Sequence, residues 1–266
     1  MLDDRWKQAF FDYSTSSFAE ILHRAAPHLL PGRSEGGTDE GSVPSVPHGT
    51  TVLGLKYADG VIMAGDRRAT SGYTVADAKM RKVFAADDYS AIAIAGAAGQ
   101  AIEMVKLFQL ELEHYEKITG DRLSLEGKAN RLAQMIRSNF PLAMQGLVVV
   151  PLFGGFDHAT GEGRIFYYDA TGGRWEEDDY QTTGSGGQPA KNSLKKRWHP
   201  GLTRGDALRV AVEALVDAAE DDVATGGPDP NRRIFPNALA VTVSGAEDVP
   251  EDEIAAAVAA VLEERA

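Results

Sequence analysis

From residue 50 onward, apolar residues form a regular pattern along the chain. Thr50–Tyr57 and Val61–Asp66 are apolar runs rich in β-branched residues. The segment Ala58-Asp59-Gly60 lies between them, and an Asp-Gly pair in this position predicts a β-hairpin. Similar runs predict further strands at Arg81–Phe84, Tyr89–Ala95, Leu147–Phe153, Arg164–Asp169, Tyr180–Thr183 and Asn237–Ser244. Such closely spaced runs indicate antiparallel pairing.

Longer segments carry apolar residues three and four positions apart, which predicts amphipathic helices. In the first of them, Ile102, Val105, Phe108 and Leu112 lie on one face, and Gly120 marks the end. The predicted helices are Ala97–Ile118, Ser124–Met144, Gln188–Arg197, Thr203–Ala219 and Glu251–Glu264. Two sheets stacked face to face, with helix pairs outside, would bury the apolar faces of all these elements. We therefore predict an α+β fold, a four-layer αββα sandwich of two mainly antiparallel sheets.

Residues 1–49 lack this pattern. A short amphipathic helix is predicted around Ser17–Arg24, and residues 31–49 are rich in Gly, Ser, Pro and acidic residues, which is typical of a linker. The ordered pattern begins abruptly at "HGTTV", where Gly49 precedes Thr50 and Thr51. Either a tail ends where the first strand begins, or the chain is cut after Gly49 and Thr50 becomes a new N-terminus.

Composition narrows the class of protein. The chain has 266 residues and 43% hydrophobic content, which suits one large domain or two small ones. The net charge of −12 and the lack of a basic tract argue against a nucleic-acid partner. Without cysteine, disulfides, thiolate zinc sites and thiol nucleophiles are excluded. No secretory signal and no membrane-spanning apolar stretch is evident, so we expect a cytoplasmic protein without a membrane partner.

Several common catalytic and binding motifs are missing from the sequence. The segment "GSGGQP" at residues 184–189 does not complete the dinucleotide-binding pattern. No G-x-S-x-G surrounds Ser185, so the nucleophile elbow of many hydrolases is not indicated. The six histidines are scattered and form no pair at metal-ligand spacing. We therefore expect neither a metal site nor a cofactor.

Two charged residues stand in apolar strands. Asp66 ends "GVIMAGD", and Lys82 lies inside "RKVFAA". A buried charge is costly unless it is paired. Taken alone, the two residues could form an ordinary structural salt bridge or lie at exposed strand ends.

Thr50, Asp66 and Lys82 are 16 residues apart each time, and short motifs accompany them. In chain order these motifs are "HGTT", "MAGDRRAT", "RKV", "AIAGAAG", "ELEHYEK", "GSG" and "DDVATGGPD". Over residues 48–266 this combination resembles the proteasome β-subunit family of N-terminal nucleophile hydrolases, in particular the actinobacterial 20S type with a long propeptide. The resemblance implies a threonine endopeptidase. Residues 1–49 would be a propeptide removed by self-cleavage at Gly49-Thr50, and residues 50–266 the mature catalytic domain.

The resemblance also implies the catalytic roles. Thr50 would be the nucleophile, with its own α-amino group as the base, since a free α-amine has a pKa of about 7.7–8.0. Lys82 would favour the alkoxide, and Asp66 would hold Lys82 charged and oriented. Gly96 would supply a backbone N–H to the oxyanion hole, beside its role in a strand-to-helix turn.

A second group of residues matches positions that hydrogen-bond the Thr50 amine. These are Ser185, Asp222 and Thr225. The family commonly has Ser in place of Thr225, and the hydroxyl is retained here. Without the resemblance, Asp222 would be one acid in a solvated run and Ser185 a turn residue. Gly49 would permit the tight, strained turn that self-cleavage requires.

The positions that match substrate contacts are mainly apolar. Thr70 and Ala98 match backbone positions that pair with an extended peptide. The primary pocket is matched by Ala69, Met80, Phe84, Ile94, Ala98 and Ile102. None of these side chains is charged, so we predict cleavage after large hydrophobic residues.

The resemblance further implies stacked seven-membered rings, α7β7β7α7, in which the chain contacts α subunits and other β subunits. An ATPase ring would feed unfolded, tagged protein substrates through the α ring. Exposed apolar helix faces would form the ring interfaces. Three alternatives are considered. A non-catalytic structural ring subunit would lack Thr50 or Lys82. A bacterial two-ring peptidase would have no long leader. An N-terminal nucleophile amidase would have a polar pocket.

Overall fold

The computed structural model describes residues 49–71 and 74–265. The strands are β1 Thr51–Tyr57, β2 Gly60–Gly65, β3 Ala69–Ser71, β4 Thr74–Asp77, β5 Val83–Asp87, β6 Ser90–Ala93, β7 Leu152–Asp157, β8 Glu162–Tyr168, β9 Arg174–Glu177, β10 Tyr180–Gly184, β11 Asn237–Thr242 and β12 Gly245–Asp248. The helices are α1 Ala98–Thr119, α2 Leu125–Ser138, α3 Phe140–Ala143, α4 Gly187–Arg197, α5 Arg204–Asp221 and α6 Glu251–Glu263. The helix predicted around Ser17–Arg24 lies outside the described residues.

Two five-stranded sheets form the centre of the fold. The first has the strand order β10-β1-β2-β11-β12, and the second has the order β5-β6-β7-β8-β9. Strands β3 and β4 form a separate two-stranded sheet. Every pairing in both large sheets is antiparallel. The predicted α+β sandwich of antiparallel sheets is therefore confirmed.

Alternation along the strands assigns each side chain to one of three apolar layers. In β2, Val61 and Met63 pack between the two sheets, whereas Ile62 and Ala64 face α4, α5 and α6. In β6, Ala93 packs between the sheets and the neighbouring isoleucines face α1 and α2. Successive strand residues point to opposite faces, so a continuous apolar run identifies a strand that is buried on both sides. The layers follow the predicted order of helices, sheet, sheet and helices.

The structure differs from the prediction at several element boundaries. The helix predicted at Ser124–Met144 ends at Ser138, because Pro141 has no N–H to continue the helical hydrogen bonds and starts a short separate helix. The strand predicted at Leu147–Phe153 is found at Leu152–Asp157, and Val149 forms only an isolated bridge with Gly96. The short strands β3, β4, β9 and β12 were not predicted. They are mostly exposed and polar, so they carry little hydrophobic pattern.

Within the described ranges, no helix is both long and apolar enough to cross a membrane.

Candidate active site

Three strand ends of the first sheet meet at one edge. β1 begins directly after Thr50, β2 ends directly before Asp66, and β10 ends directly before Ser185. The register brings these ends together, since Thr51 pairs with Gly184 and Val52 pairs with Gly65. In the second sheet, β5 begins directly after Lys82. Antiparallel pairing thus gathers residues that are far apart in the sequence.

Asp66 and Lys82 form a buried ion pair at this edge. The Nζ atom of Lys82 lies 2.6 Å from Oδ1 of Asp66, and both side chains are completely buried. The same Oδ1 accepts a hydrogen bond from the Thr51 N–H at 2.8 Å. The other oxygen, Oδ2, accepts from the N–H groups of Arg68 and Gly226, each at 2.9 Å. Four donors therefore satisfy the buried carboxylate, as a charge removed from water requires.

The Lys82 ammonium faces three acceptors. Besides Asp66, Nζ donates to the carbonyl oxygen of Arg68 at 2.5 Å and, in a longer contact, to that of Gly49 at 3.5 Å. Burial lowers the pKa of Lys82 from its ordinary value of 10.5, while the charge of Asp66 and its hydrogen bond act in the opposite direction. Three acceptors match the three protons of an ammonium group. The site therefore presents a positive charge to the Gly49 carbonyl.

Thr50 and Lys82 converge on that carbonyl. The Thr50 hydroxyl donates to the Gly49 oxygen at 2.7 Å. No side chain fits at Gly49, because a Cβ atom there would lie 2.5 Å from Oγ1 of Thr70 and 2.7 Å from the backbone oxygen of Ala224. The nucleophile predicted at Thr50 is thus next to the bond predicted to be cut.

Ser185, Asp222 and Thr225 form a hydrogen-bonded group on the other side of Thr50. The hydroxyls of Ser185 and Thr225 both donate to Oδ2 of Asp222 at 2.6 Å. The Thr50 N–H donates to Ser185 Oγ at 3.3 Å. Burial alone would raise the pKa of Asp222, but the two hydroxyls, the Ala224 N–H and the charge of Lys82 lower it below its ordinary value. Asp222 is therefore held as a carboxylate that orients both hydroxyls.

Glycines on both sides of Ser185 allow this close approach. Gly184 has φ +100°, and a Cβ atom there would lie 1.9 Å from the Thr50 carbonyl oxygen. That same oxygen accepts the Ser185 N–H at 2.8 Å. The backbone of the "GSG" segment thus binds the Thr50 carbonyl, and only glycine fits at its first position, residue 184.

Gly96 lies in the turn from β6 to α1, as predicted. Its φ is +108°, and a Cβ atom would lie 2.1 Å from the carbonyl oxygen of Val148, so no other residue fits. Its N–H donates to no group within the described residues. Helix α1 begins two residues later, without an acidic residue in its first turn and without a side-chain cap. Its positive N-terminal end is therefore unneutralised.

The residues matched to substrate contacts fall into two groups. Ala69 and Thr70 lie on β3, directly after the Asp66–Arg68 segment. Met80, Phe84 and Ile102 are partly buried against the apolar layer beneath α1, and Ala98 is the first residue of that helix. Ile94 belongs to the same layer but is only 2% exposed. The structure therefore places Met80, Phe84, Ile94 and Ile102 in one apolar layer beneath α1, with Ile94 covered.

Four residues of this arrangement were not identified from the sequence. Thr51, Arg68 and Gly226 contact Asp66 through their backbone N–H groups, which any residue type except proline could supply. Asn237 accepts the Lys82 N–H through its side chain at 3.1 Å and donates to the Val83 carbonyl at 3.0 Å. For Asn237, the one feature of the sequence that could have indicated this role is a polar amide at the start of an apolar strand. The second threonine of "HGTTV" was noted in the sequence, but its partner was not.

The arrangement combines a hydroxyl beside a peptide carbonyl, a buried ammonium facing the same oxygen, and hydroxyl and carboxylate groups next to the Thr50 nitrogen. Such groups can carry out acyl transfer to a threonine oxygen. In the described residues no group of His, Asp or Glu side chains is placed to hold a metal ion.

Comparison with known proteins identifies the family of the chain. A family model described as proteasome subunit matches residues 46–229. The proteasome subunit beta of Frankia casuarinae is 52% identical over 261 residues, which cover 98% of this chain and 94% of that protein. The proteasome subunit beta of Streptomyces griseus is also 52% identical over 261 residues, covering 98% of this chain and 92% of that protein. The resemblance found in the sequence motifs is thereby confirmed, and the chain belongs to the proteasome subunit family, with β subunits as its relatives.

Proposed function

We propose that this chain is a catalytic β subunit of a 20S-type proteasome core, a threonine endopeptidase that first cuts its own Gly49–Thr50 bond. The observation that carries the proposal is the convergence of two groups on one carbonyl. The Thr50 hydroxyl lies 2.7 Å from the Gly49 oxygen, and Lys82 Nζ lies 3.5 Å from the same atom. A structural subunit has no need for this geometry.

Self-cleavage would proceed by acyl transfer. The Thr50 oxygen adds to the Gly49 carbonyl carbon, its hydroxyl proton passes to the Thr50 nitrogen, and the developing oxyanion faces the Lys82 ammonium. The C–N bond to Thr50 then breaks, which leaves an ester between Gly49 and the Thr50 side chain and a free α-amine. Water hydrolyses the ester, so that residues 1–49 leave as the propeptide with Gly49 as its C-terminus. Residues 50–266 remain as the mature chain.

The mature site would use the amine released by that step. In the precursor, the Thr50 nitrogen lies 3.3 Å from Ser185 Oγ, and Ser185 donates to Asp222. The new amine would stay beside these acceptors and take the proton of the Thr50 hydroxyl. Thr225 would hold Asp222 from the other side. Lys82, oriented by Asp66, would lower the cost of negative charge on the Thr50 oxygen.

Gly96 would complete the site as the oxyanion donor. Two features support this role, its unpaired N–H within the described region and the uncapped start of α1 next to it. A helix N-terminus favours negative charge, and a fixed N–H aimed at an oxyanion typically contributes about 10²–10³ in rate. An extended substrate would pair with the backbone of Thr70 and Ala98.

The apolar residues of the layer beneath α1 support a preference for large hydrophobic side chains. Met80, Phe84 and Ile102 are partly exposed there, and Ala69 and Ala98 leave space. We propose that they line the primary pocket, with Ile94 beneath it. None of them is charged, so a charged side chain at the cleaved position would lose hydration without gaining a partner.

Assembly into stacked rings with α subunits and other β subunits completes the proposal. The relatives are named as proteasome subunits. Helix α1 exposes Leu107, Leu110 and Ile118, the last at 72%. Such a row of large apolar side chains is typical of an interface with a partner. In the cytoplasm, an ATPase ring on the α ring would supply unfolded, tagged substrates.

The test is the intact mass of the full chain after co-expression with an α-type proteasome subunit. We expect the mass of residues 50–266, and hydrolysis of a fluorogenic peptide with tyrosine at the cleaved position. Thr50→Ala should keep the full-length mass and show no hydrolysis. Thr160→Ala, at an exposed hairpin threonine, is the matched control and should be processed. A wild-type chain that assembles into rings but keeps its full length and has no activity would identify a structural subunit instead.

A further inference from the structure

Thr51, the residue after the nucleophile, touches both halves of the site. Its side chain is completely buried. Its backbone contacts the half that contains Asp66 and Lys82, and its hydroxyl contacts the half that contains Asp222. Within the site, this is a contact pattern that Thr50 itself does not have.

The backbone contact bears on the ion pair. The Thr51 N–H donates to Oδ1 of Asp66 at 2.8 Å, the same oxygen that accepts Lys82 Nζ at 2.6 Å. Thr51 therefore fixes the carboxylate oxygen that orients the ammonium. Any residue type except proline could make this contact, so the threonine side chain must be explained separately.

The hydroxyl contact leads to the Thr50 nitrogen. Oγ1 of Thr51 lies 2.6 Å from Oγ1 of Thr225. Thr225 has one hydroxyl proton and donates it to the Asp222 carboxylate at 2.6 Å, so Thr51 must be the donor in this pair. Asp222 also accepts from Ser185, and Ser185 accepts from the Thr50 N–H. The chain of hydrogen bonds thus runs from the Thr51 hydroxyl to the nitrogen of its own neighbour.

The space around the two hydroxyls enforces their contact. A Cβ atom at Gly186 would lie 2.4 Å from Thr51 Oγ1 and 2.6 Å from Thr225 Oγ1. Both threonines are completely buried, so no solvent competes for these groups. Hydrogen bonds in such a chain polarise one another. Thr225 is therefore a better donor to Asp222 because Thr51 donates to Thr225.

We propose that Thr51 is a positioning residue that couples the Asp66–Lys82 pair to Asp222 and thereby sets the rate of peptide hydrolysis at Thr50. The inference rests on the proposed function, since it concerns the same reaction. The hydroxyl acts through Thr225, Asp222 and Ser185, and contacts no reacting atom. A valine at position 51 keeps the shape and the backbone contact but removes the donor.

The Thr51→Val substitution should shift the pH dependence of peptide hydrolysis in one direction. Without the Thr51 donor, the Thr225 hydroxyl is a weaker hydrogen-bond donor to Asp222 and offsets less of the negative charge on its carboxylate. The released Thr50 amine then faces a carboxylate with more negative charge. The amine then holds its proton more tightly. The other charged groups of the site are the Asp66–Lys82 pair and Arg68, whose charge acts on Lys82, and the substitution leaves all three unchanged. The acid limb of kcat/KM against pH should therefore move to higher pH.

The experiment compares full chains co-expressed with an α-type subunit, with a fluorogenic peptide ending in tyrosine as the probe. Thr51→Val should lower kcat by about tenfold, the effect of one ordinary hydrogen bond, with little change in KM. Thr51→Ser should restore both kcat and the pH profile. Thr182→Val is the matched control, because its hydroxyl donates to the Gly187 carbonyl at the start of α4 and not to the Asp222 group. It should match the wild type.

Thr225→Val breaks the same chain from the acceptor side and keeps Thr51 intact. Its pH profile should shift in the same direction, and the double variant with Thr51→Val should add little to either single change. If the Thr51→Val chain does not assemble, the pH profile of Thr225→Val tests the proposal.

A Thr51→Val enzyme with the wild-type kcat and pH profile would overturn the inference and leave the proposed function in place. So would a variant that only loses stability while its pH profile stays fixed, because that result assigns Thr51 a structural role. An inactive, unprocessed wild type in assembled rings would overturn both.

Discussion

Lys82 Nζ lies 2.6 Å from Oδ1 of Asp66, and neither side chain is exposed to solvent. The pair joins the two central sheets, because Asp66 follows β2 of the first sheet and Lys82 precedes β5 of the second. It is also the source of the positive charge near the Gly49 carbonyl. A structural and a catalytic role therefore overlap in one contact, and the first prediction separates them.

Lys82→Ala should abolish peptide hydrolysis and also destabilise the protein. Removal of one partner leaves the Asp66 carboxylate buried without its counter-charge, which costs about 3–5 kcal/mol. The free energy of unfolding and the rate of hydrolysis are the two quantities to measure. Both should fall.

The double variant Asp66→Asn with Lys82→Met is the control for stability. It removes both charges and keeps similar volumes, so the free energy of unfolding should recover the part of the loss that comes from the unpaired charge. The new amide nitrogen accepts no hydrogen bond, so at least one of the N–H groups of Thr51, Arg68 and Gly226 stays unpaired and the recovery is partial. Hydrolysis should not recover, because the ammonium is still missing. Recovery of activity together with stability would show that Lys82 serves the fold alone.

Gly49→Ala should block removal of the leader. The added Cβ atom would lie 2.5 Å from Thr70 Oγ1, 2.6 Å from Ala224 Cβ and 2.7 Å from the Ala224 backbone oxygen. Thr70 can rotate, but the backbone at Ala224 cannot yield cheaply. The Gly49 carbonyl must then leave its place beside Thr50, and intact mass over time should show processing slowed by at least an order of magnitude.

The matched control for this substitution is Gly99→Ala. Gly99 lies in the first turn of α1, and a Cβ atom there meets nothing within 4 Å. Its processing should proceed at the wild-type rate. Equal processing rates in the two variants would contradict the steric account of Gly49.

The sequence predicted the parts of the site that depend on buried charge and strand order. Asp66 and Lys82 stood out because charged residues are rare in apolar strands, and the strands themselves were recognisable from continuous apolar runs. The strand register then brings Thr51 opposite Gly184 and Val52 opposite Gly65. Asp222 and Ser185 were found only through family motifs, since an acid in a polar run and a serine between glycines have no distinctive pattern.

Other features could not be predicted from residue pattern. The hydroxyl contact between Thr51 and Thr225 joins residues 174 positions apart and depends on the space left by Gly186. The apolar positions near α1 also look alike in sequence. Ile94 is fully covered, whereas Phe84 and Ile102 are partly exposed, and only the placement of α1 over the second sheet separates pocket lining from core.

Asp222 should give the protein a pH-dependent stability. Burial alone would raise the pKa of Asp222, but hydrogen bonds from Ser185 and Thr225 hold it below its ordinary value of 3.8. A pKa lowered in the folded state means that the ionised group stabilises the fold above the unfolded pKa, and that this contribution is lost as the pH falls through the folded pKa. The free energy of unfolding of wild type should exceed that of Asp222→Asn near neutral pH, and the difference should close below pH 3.8.

Activity should follow a different group. Asp222 stays ionised throughout the neutral range, so the acid limb of kcat/KM should lie nearer to the pKa of a free α-amine, about 7.7–8.0, than to that of a carboxylate. Asp221→Asn removes one negative charge at the exposed neighbouring residue and is therefore the control for Asp222→Asn. An acid limb near pH 4 would contradict the assignment of the Thr50 amine as the base.

Asn237 should be required to place Lys82. It begins β11, pairs with Gly65 next to Asp66, and makes two side-chain hydrogen bonds to the backbone of Lys82 and Val83 in the other sheet. Asn237→Ala leaves the Lys82 N–H without a partner, whereas the Val83 carbonyl still accepts from Arg81 Nε at 2.8 Å, so the free energy of unfolding should fall by about 1–3 kcal/mol. The Lys82 strand should also move relative to Asp66, so kcat should fall more than KM changes. Asn192→Ala is the control, since that exposed amide bonds only to Gln188 one turn away. If Asn237→Ala lost stability but kept its kcat, the inter-sheet bridge would support the fold without positioning the ammonium.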